Sequence, residues 1–361
     1  MRSCVVGGMI AIMVLNFCNY LCAGQVKEVS LVLVGDIMLG RLVDKMSLDV
    51  SDEFIWGDTI SLLRNADISL GNLENVFTKS SEKVAKVFNF KAQPSQIRFL
   101  KSAHFTVLNM ANNHSLDFSV TGLLETVSLL DDAGILHVGA GKNAELARAG
   151  TVITRHGCRV GILGVTDNEP CWDAGKNKPG IFYINTANAH ARSKFCSFVA
   201  EFKKKHKLDM FILSIHWGPN MRLRPSKVFR RFAHQLIDAG VDILHGHSAH
   251  VVQGMEWYHN RLICYDTGDF VDDYAIDPEL RNDLGVLVRV SWQNKSIKCI
   301  EIIPTIIKNC QVNKATGEDF KFLSQRLQNL SGEFGTAVAI DQIKHRLLLV
   351  RTEGLTFARE N

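Results

Sequence analysis

The sequence predicts an α/β fold of two packed sheets flanked by helices, and three observations carry that expectation. Short apolar, β-branched runs alternate with segments whose apolar residues recur at helical spacing, the pattern of parallel strands with crossover helices. From Gly254 to Ile307 the alternation gives way to strand after strand joined by short turns, which argues antiparallel hairpins. A hydrophobic content of 46% over 361 residues supports a large buried core and excludes a disordered chain.

The elements follow in order. After Arg2, an apolar run from Val5 to Leu21 precedes Cys22, Ala23 and Gly24, so residues 1–24 read as an export signal and the mature chain is expected to begin near Gln25. The run is nearly long enough to remain as a membrane anchor, which Asn16 and Asn19 weaken. "EVSLVLVGD", "DISLGNLE" and "FTVLNMANNH" are strands, separated by the helical patterns "IWGDTISLLRNA" and "QPSQIRFLKSA". "VTGLLETVSLLDDAG" is a helix closed by glycine, and "LHVGAG" a short strand. A second set follows: strands "CRVGILGVTD", "LDMFILSIHWG" and "VDILHGHSAH", with helices over 187–205 and 227–239 between them. No repeat or low-complexity tract divides 25–310, which reads as one domain, and a helix and strand in 311–361 are expected to pack on it.

Charge and cysteines exclude several partners. The net charge of +4 is scattered, and the one basic cluster, Lys203 to Lys207, closes a helix, where cations suit the negative end of the dipole. No nucleic-acid partner is expected. Three of nine cysteines lie in the leader; the other six permit disulfides in an oxidising compartment, but their wide spacing excludes a CxxC metal site.

Polar residues recur where the strands stop: Asp36; Asn72 and Glu74; Asn112, Asn113 and His114; His216; His247 and His250. The carboxyl ends of parallel strands form the crevice where open α/β folds bind ligands, so these groups are expected to converge. Carboxylate, carboxamide and imidazole suit Mn, Fe, Zn or Mg, and a pair of such ions can activate water near neutral pH and clamp an anionic oxygen. Each residue has a plainer reading alone: a turn former for Asp36, a loop carboxylate for Glu74, a glycosylation acceptor for Asn113, a core histidine for His216. His245 is expected to be a partly buried structural histidine, although it shares a strand face with His247. Arg222 and Arg224 read as a solvated loop that could otherwise hold a polyanion.

Taken together, "VGDIMLGR", "DISLGNLEN", "LNMANNHSLDF", "SIHWGP" and "LIDAGVDILHGHSAHVVQGMEWYHNRLICYDTGDF" resemble the CapA capsule-synthesis (poly-γ-glutamate biosynthesis) proteins from about Val29 to Ile307. The resemblance implies a calcineurin-like metallophosphoesterase fold, a four-layer αββα sandwich of two mixed sheets. It makes Asp36 the first-metal aspartate, Glu74 the bridging carboxylate, Asn113 the second-metal carboxamide, and His216, His247 and His250 the imidazole ligands of two divalent ions. His114 resembles the histidine that assists the transition state or leaving group, oriented by Asp117. Three places depart from the pattern: Met38 where metallophosphoesterases have histidine, Ser248 and Ala249 where the family has His-Pro, and Asp269 where asparagine is usual, an extra carboxylate that could add a ligand or a base or only cap a turn.

The function expected from these residues is an exported metal-dependent hydrolase acting on an anionic substrate. The alternatives are an accessory subunit that binds poly-γ-glutamate or membrane synthase subunits without turnover, and a binding module that has lost its metals.

Overall fold

The structure, a computed structural model, describes residues 27–46 and 50–350, so the expected export signal lies outside the described residues. The chain begins in a first sheet with β1 (Val29–Ile37), β2 (Ile68–Leu73), β3 (Val107–Asn109) and β4 (Leu136–Val138). These four pair in parallel in the order of the chain. β1 is largely apolar and every residue of β2 is buried, because a central strand is covered on both faces.

A second sheet follows, made of β5 (Thr151–Arg155), β6 (Cys158–Thr166), β7 (Met210–His216), β8 (Ile243–His247), β9 (Met255–Tyr258) and β10 (Arg261–Cys264), in the order β9-β10-β8-β7-β6-β5. The chain then returns to the first sheet with β11 (Asp269–Val271), β12 (Leu284–Gln293), β13 (Ser296–Lys308), β14 (Gln311–Lys314), β15 (Ala337–Asp341) and β16 (Arg346–Val350). Both sheets are mixed. The expected hairpin meander is therefore divided: β9 and β10 form an antiparallel hairpin, but β10 runs parallel to β8, and β11 runs parallel to β1 in the other sheet. Local turn signals report hairpins and are silent on which sheet a strand joins. β5 was not anticipated from the sequence; it closes antiparallel on β6.

Three apolar clusters set the layering. Leu31, Leu33 and Leu70 of the first sheet meet Ile162, Ile212 and Ile243 of the second, and Phe320, Leu323 and Leu327 of a C-terminal helix (Gly317–Gly332) join them. Val32, Val34 and Leu108 point the other way, against helical Leu63, Phe99 and Leu123, as the two-residue period of a strand requires. On the far side, Leu163, Leu213 and Leu244 pack on Phe195, Phe232 and Leu236 of the helices Ala189–His206 and Lys227–Asp238. Asn188 and Ser226 cap those two helices through their side chains. The lysine cluster does end the first of them, with Lys203 Nζ donating to Gly240 O and Asp242 Oδ2 at 2.7 and 2.9 Å. No described cysteine is paired.

Candidate metal centre

Four strands of the two sheets end at one buried place, and a fifth, β11, begins there. Asp36 terminates β1, and β2 delivers Asn72 and Glu74 beside it. β7 and β8 run in parallel register with His216 opposite His247, which sets the two imidazoles side by side. The chain then turns back through Ser248 (φ 113°) and His250 (φ 58°), left-handed positions that a non-glycine residue adopts at a cost of about 1–3 kcal/mol. Asp266 holds this turn: its carboxylate accepts the Ala249 N–H at 2.6 Å and the Gly268 N–H at 2.8 Å. Gly35 is obligatory here, since a Cβ at that position would stand 1.7 Å from the Gly268 carbonyl oxygen.

The side chains form two overlapping clusters. Asp36, His216 and His247 make one; Asp36, Glu74, His250 and Asp269 make the other, and within each the ligand-type atoms lie within 4.8 Å of one another. His216 Nδ1 and His247 Nδ1 are 3.0 Å apart, and His247 Nδ1 is 3.6 Å from Asp36 Oδ1. That spacing is close to the roughly 3.3 Å expected of two nitrogens on one tetrahedral cation with bonds of about 2.0–2.1 Å. His250 Nδ1 lies 2.8 Å from Asp269 Oδ1 and 3.3 Å from Asp36 Oδ2. Glu74 is wholly buried, and neither carboxylate oxygen has a hydrogen-bond partner; the nearest imidazole nitrogens, on His114, His216 and His250, stand 3.9 to 4.0 Å away. A buried carboxylate without donors is costly, and a cation in these clusters would satisfy it. The donor set, all oxygen and nitrogen, fits a hard to borderline divalent ion.

Electrostatics agree with that reading. Burial pushes Glu74 well above the usual carboxylate range and the neighbouring Asp36 charge adds to it. Burial would raise Asp36 too, but the His250 hydrogen bond and the surrounding imidazoles hold it below its ordinary value. Burial drives His216 down to about 3 and His247 well below normal, which keeps both neutral and able to ligate. His250 goes the other way: the charges of Asp269 and Glu74 outweigh its burial.

The other residues singled out in the sequence surround this centre. His114 Nδ1 is 2.5 Å from Asp117 Oδ2, its ring lies 3.9 Å from that of Phe90, and its Nε2 faces Glu74. Asn113 lines a cavity with His114 and His250, its buried Oδ1 unpartnered. His245 lies outside both clusters, between Ser214 Oγ at 3.3 Å and Thr267 Oγ1 at 3.4 Å. It does share a face with His247, but one strand repeat deeper, as a hydrogen-bonded core histidine. Arg224 is tied in a bidentate pair to exposed Glu333.

Three contributors take roles that the sequence reading did not assign. The sequence leaves Asp269 open between a further ligand or base and a turn cap; the parallel pairing Asp36↔Asp269 makes it part of the centre. Asn72 donates to Asp36 Oδ1 at 2.7 Å, and its own oxygen accepts from Asn109 and Asn112 at 2.9 and 3.1 Å. Buried asparagines inside apolar strands were the available signal. Asp266, pushed up to about 7 by burial and the Asp36 charge, had no local signal at all.

These features define an α/β protein of two mixed sheets with a buried carboxylate and imidazole centre at their strand ends. Residues 30–274, which carry every side chain of that centre, match the family of the bacterial capsule synthesis protein PGA_cap, and the chain belongs to that family. It is 29% identical over 361 aligned positions to a probable polyglutamine synthesis accessory protein of Mycobacterium tuberculosis, covering 88% of this chain and 94% of that one. It is 29% identical to the capsule biosynthesis protein CapA of Bacillus anthracis over 291 positions, 78% of this chain and 68% of the relative. With the PGA biosynthesis protein CapA of Bacillus subtilis it shares 32% over 244 positions, 66% and 62% of the two chains.

Proposed function

We propose that the protein is an exported, metal-dependent hydrolase of an anionic ester, with a metallophosphoesterase-like architecture. The observation that carries this is Glu74, a buried carboxylate with no donor, set among three imidazoles and Asp36. Asp36, His216 and His247 would hold one divalent ion, and Asp36, Glu74, His250 and Asp269 a second, with Asn113 at the rim. Bound there, Mn, Fe, Zn or Mg would polarise an anionic oxygen and acidify water. The chain's own residues supply the rest. Asp117 accepts a hydrogen bond from His114 Nδ1–H and fixes the ring, leaving Nε2 to exchange a proton with the reacting group. Asn72 orients Asp36 from outside the cluster. The helix, sheet, sheet and helix packing supports the architectural part of the reading.

The relatives' names favour a second reading, in which the chain is an accessory subunit of poly-γ-glutamate synthesis that associates with the membrane-bound machinery. Elemental analysis of the purified protein, with turnover of a panel of phosphoesters and γ-glutamyl peptides, separates the two. Stoichiometric metal with ester turnover supports the hydrolase; metal without turnover of any member supports the accessory role; a protein that binds no divalent ion overturns the metal reading.

A further inference from the structure

A cavity of about 1090 Å³ opens directly onto the centre, with Asn113, His114 and His250 as its floor. Its wall differs in character from that floor. Val87, Phe88, Phe90, Met221 and Tyr274 line it, and Val87 and Phe88 are 90% and 59% exposed, among the most exposed large apolar residues described. They are not on a loose tip. Asp117 binds the segment at both ends: its carbonyl accepts the Val84 N–H at 2.9 Å, and its carboxylate accepts the Phe90 N–H at 2.7 Å and pairs with Lys86 Nζ at 3.0 Å. The residue that orients His114 therefore also presents an apolar wall to whatever lies over His114. Water-exposed apolar groups tethered beside a polar centre mark a ligand surface.

The cations of the wall are already neutralised. Arg41 Nε pairs with Asp273 Oδ1 at 3.3 Å, and its guanidinium sits 5.6 to 6.0 Å from the ring centroids of Phe88, Phe90 and Tyr274. Lys86 is engaged by Asp117 and lies 3.8 Å from Glu169. A ligand that carried a row of negative charges through this cavity would meet apolar rings and cations with carboxylates beside them. One that is anionic only at its reacting group would place that group at the floor and its body on the wall.

We propose that the centre takes a substrate with a single anionic ester group joined to an apolar body, aryl or alkyl, which packs on Val87, Phe88 and Tyr274. The proposal rests on the reading of the centre as a metal-loaded, anion-binding site. In hydrolysis the hydroxyl of water would be added to the anionic group, the ester bond would break, and the apolar alcohol would leave with the remaining proton.

The test is titration calorimetry of the manganese-loaded full chain with phenylphosphonate, methylphosphonate and a γ-glutamyl pentapeptide, on the wild type, Phe88→Ala and Val87→Asp, together with turnover of phenyl phosphate and glycerol phosphate. Phenylphosphonate is expected to bind at least roughly tenfold tighter than methylphosphonate, the discrimination an apolar pocket supports, and Phe88→Ala to cut that ratio severalfold. Val87→Asp is expected to weaken phenylphosphonate more than methylphosphonate. If the binding preference holds but neither ester turns over, the hydrolase reading fails and the assignment of the cavity stands. Equal affinity for the two phosphonates, tighter binding of the γ-glutamyl peptide, no detectable binding of phenylphosphonate, or an unchanged ratio in Phe88→Ala overturns the proposal.

Discussion

Replacing Glu74 by methionine separates a metal centre from a structural carboxylate, because the two readings give stability changes of opposite sign. Methionine matches glutamate in chain length and removes both oxygens. In the metal-free protein those oxygens accept no hydrogen bond, and the neighbouring imidazole nitrogens are 3.9 Å or more away, so the substitution breaks no hydrogen bond. It relieves two orphaned acceptors and a charge that burial and Asp36 disfavour. An unsatisfied buried polar group costs about 1–3 kcal/mol, which sets the expected gain in metal-free stability. At roughly 2–4 °C per kcal/mol for large domains, the melting temperature should rise by several degrees. With divalent metal the order should reverse: wild type gains about 2.7 kcal/mol at a free concentration one hundred times Kd, while the variant gains little. Differential scanning calorimetry after chelation, and again with manganese, reads both. A variant that melts lower than wild type after chelation, yet responds normally to metal, would show that Glu74 is a structural group and that the centre has been misassigned.

The neighbouring histidines give a paired contrast. His247→Ala should abolish stoichiometric metal, whereas His245→Ala should keep it and lose about 1–3 kcal/mol of stability with its two hydrogen bonds, to the Ser214 and Thr267 hydroxyls, as elemental analysis and a thermal melt would show. His114→Ala is expected to lower kcat on an anionic ester by about 10²- to 10⁴-fold with metal content unchanged; loss of metal instead would make His114 a ligand. Metal uptake at neutral pH should release protons, because burial and then the Asp36 charge hold Glu74 above its usual range and burial does the same for Asp269. Affinity should therefore climb with pH until both carboxyls ionise and His250, which despite its burial is held protonated by the Asp269 and Glu74 charges, gives up its proton, with no contribution from His216, already neutral with its pKa near 3. Calorimetry in two buffers of different ionisation enthalpy measures the release, and an identical heat in both contradicts it. Glu333→Ala should change stability by less than about 1 kcal/mol, since its pair with Arg224 is exposed on both sides; a larger loss in chemical denaturation would mean the pair anchors the C-terminal helix.

Much of this protein was legible in the order of its residues. Periodicity is a local property, so the runs around Leu31, Leu70, Ile212 and Ile243 declared themselves as buried strands, and the break to Asp36, Glu74, His216 and His247 declared where each strand stops. Parallel strands bring those ends together whatever the partners, which is why five of the groups that meet were named in advance. The rest depended on pairings between residues far apart in the chain. Whether Asp269 caps a turn or faces His250 was decided by β11 joining β1 rather than β10, and no turn signal near Thr267 or Gly268 encodes that choice. His245 and His247 are equivalent by strand parity; only their depth tells them apart, since His247 lies level with Asp36 at the strand end while His245 is one repeat inside, between Ser214 and Thr267. The same holds for Asn72, whose role requires Asp36 and Asn109 on either side of it. Sequence alone determined which chemical groups stand at the strand ends, because that follows from local hydrophobic pattern. Tertiary structure alone decided which of them face one another closely enough to share a cation, because that follows from strand order, register and the left-handed turn that brings His250 back.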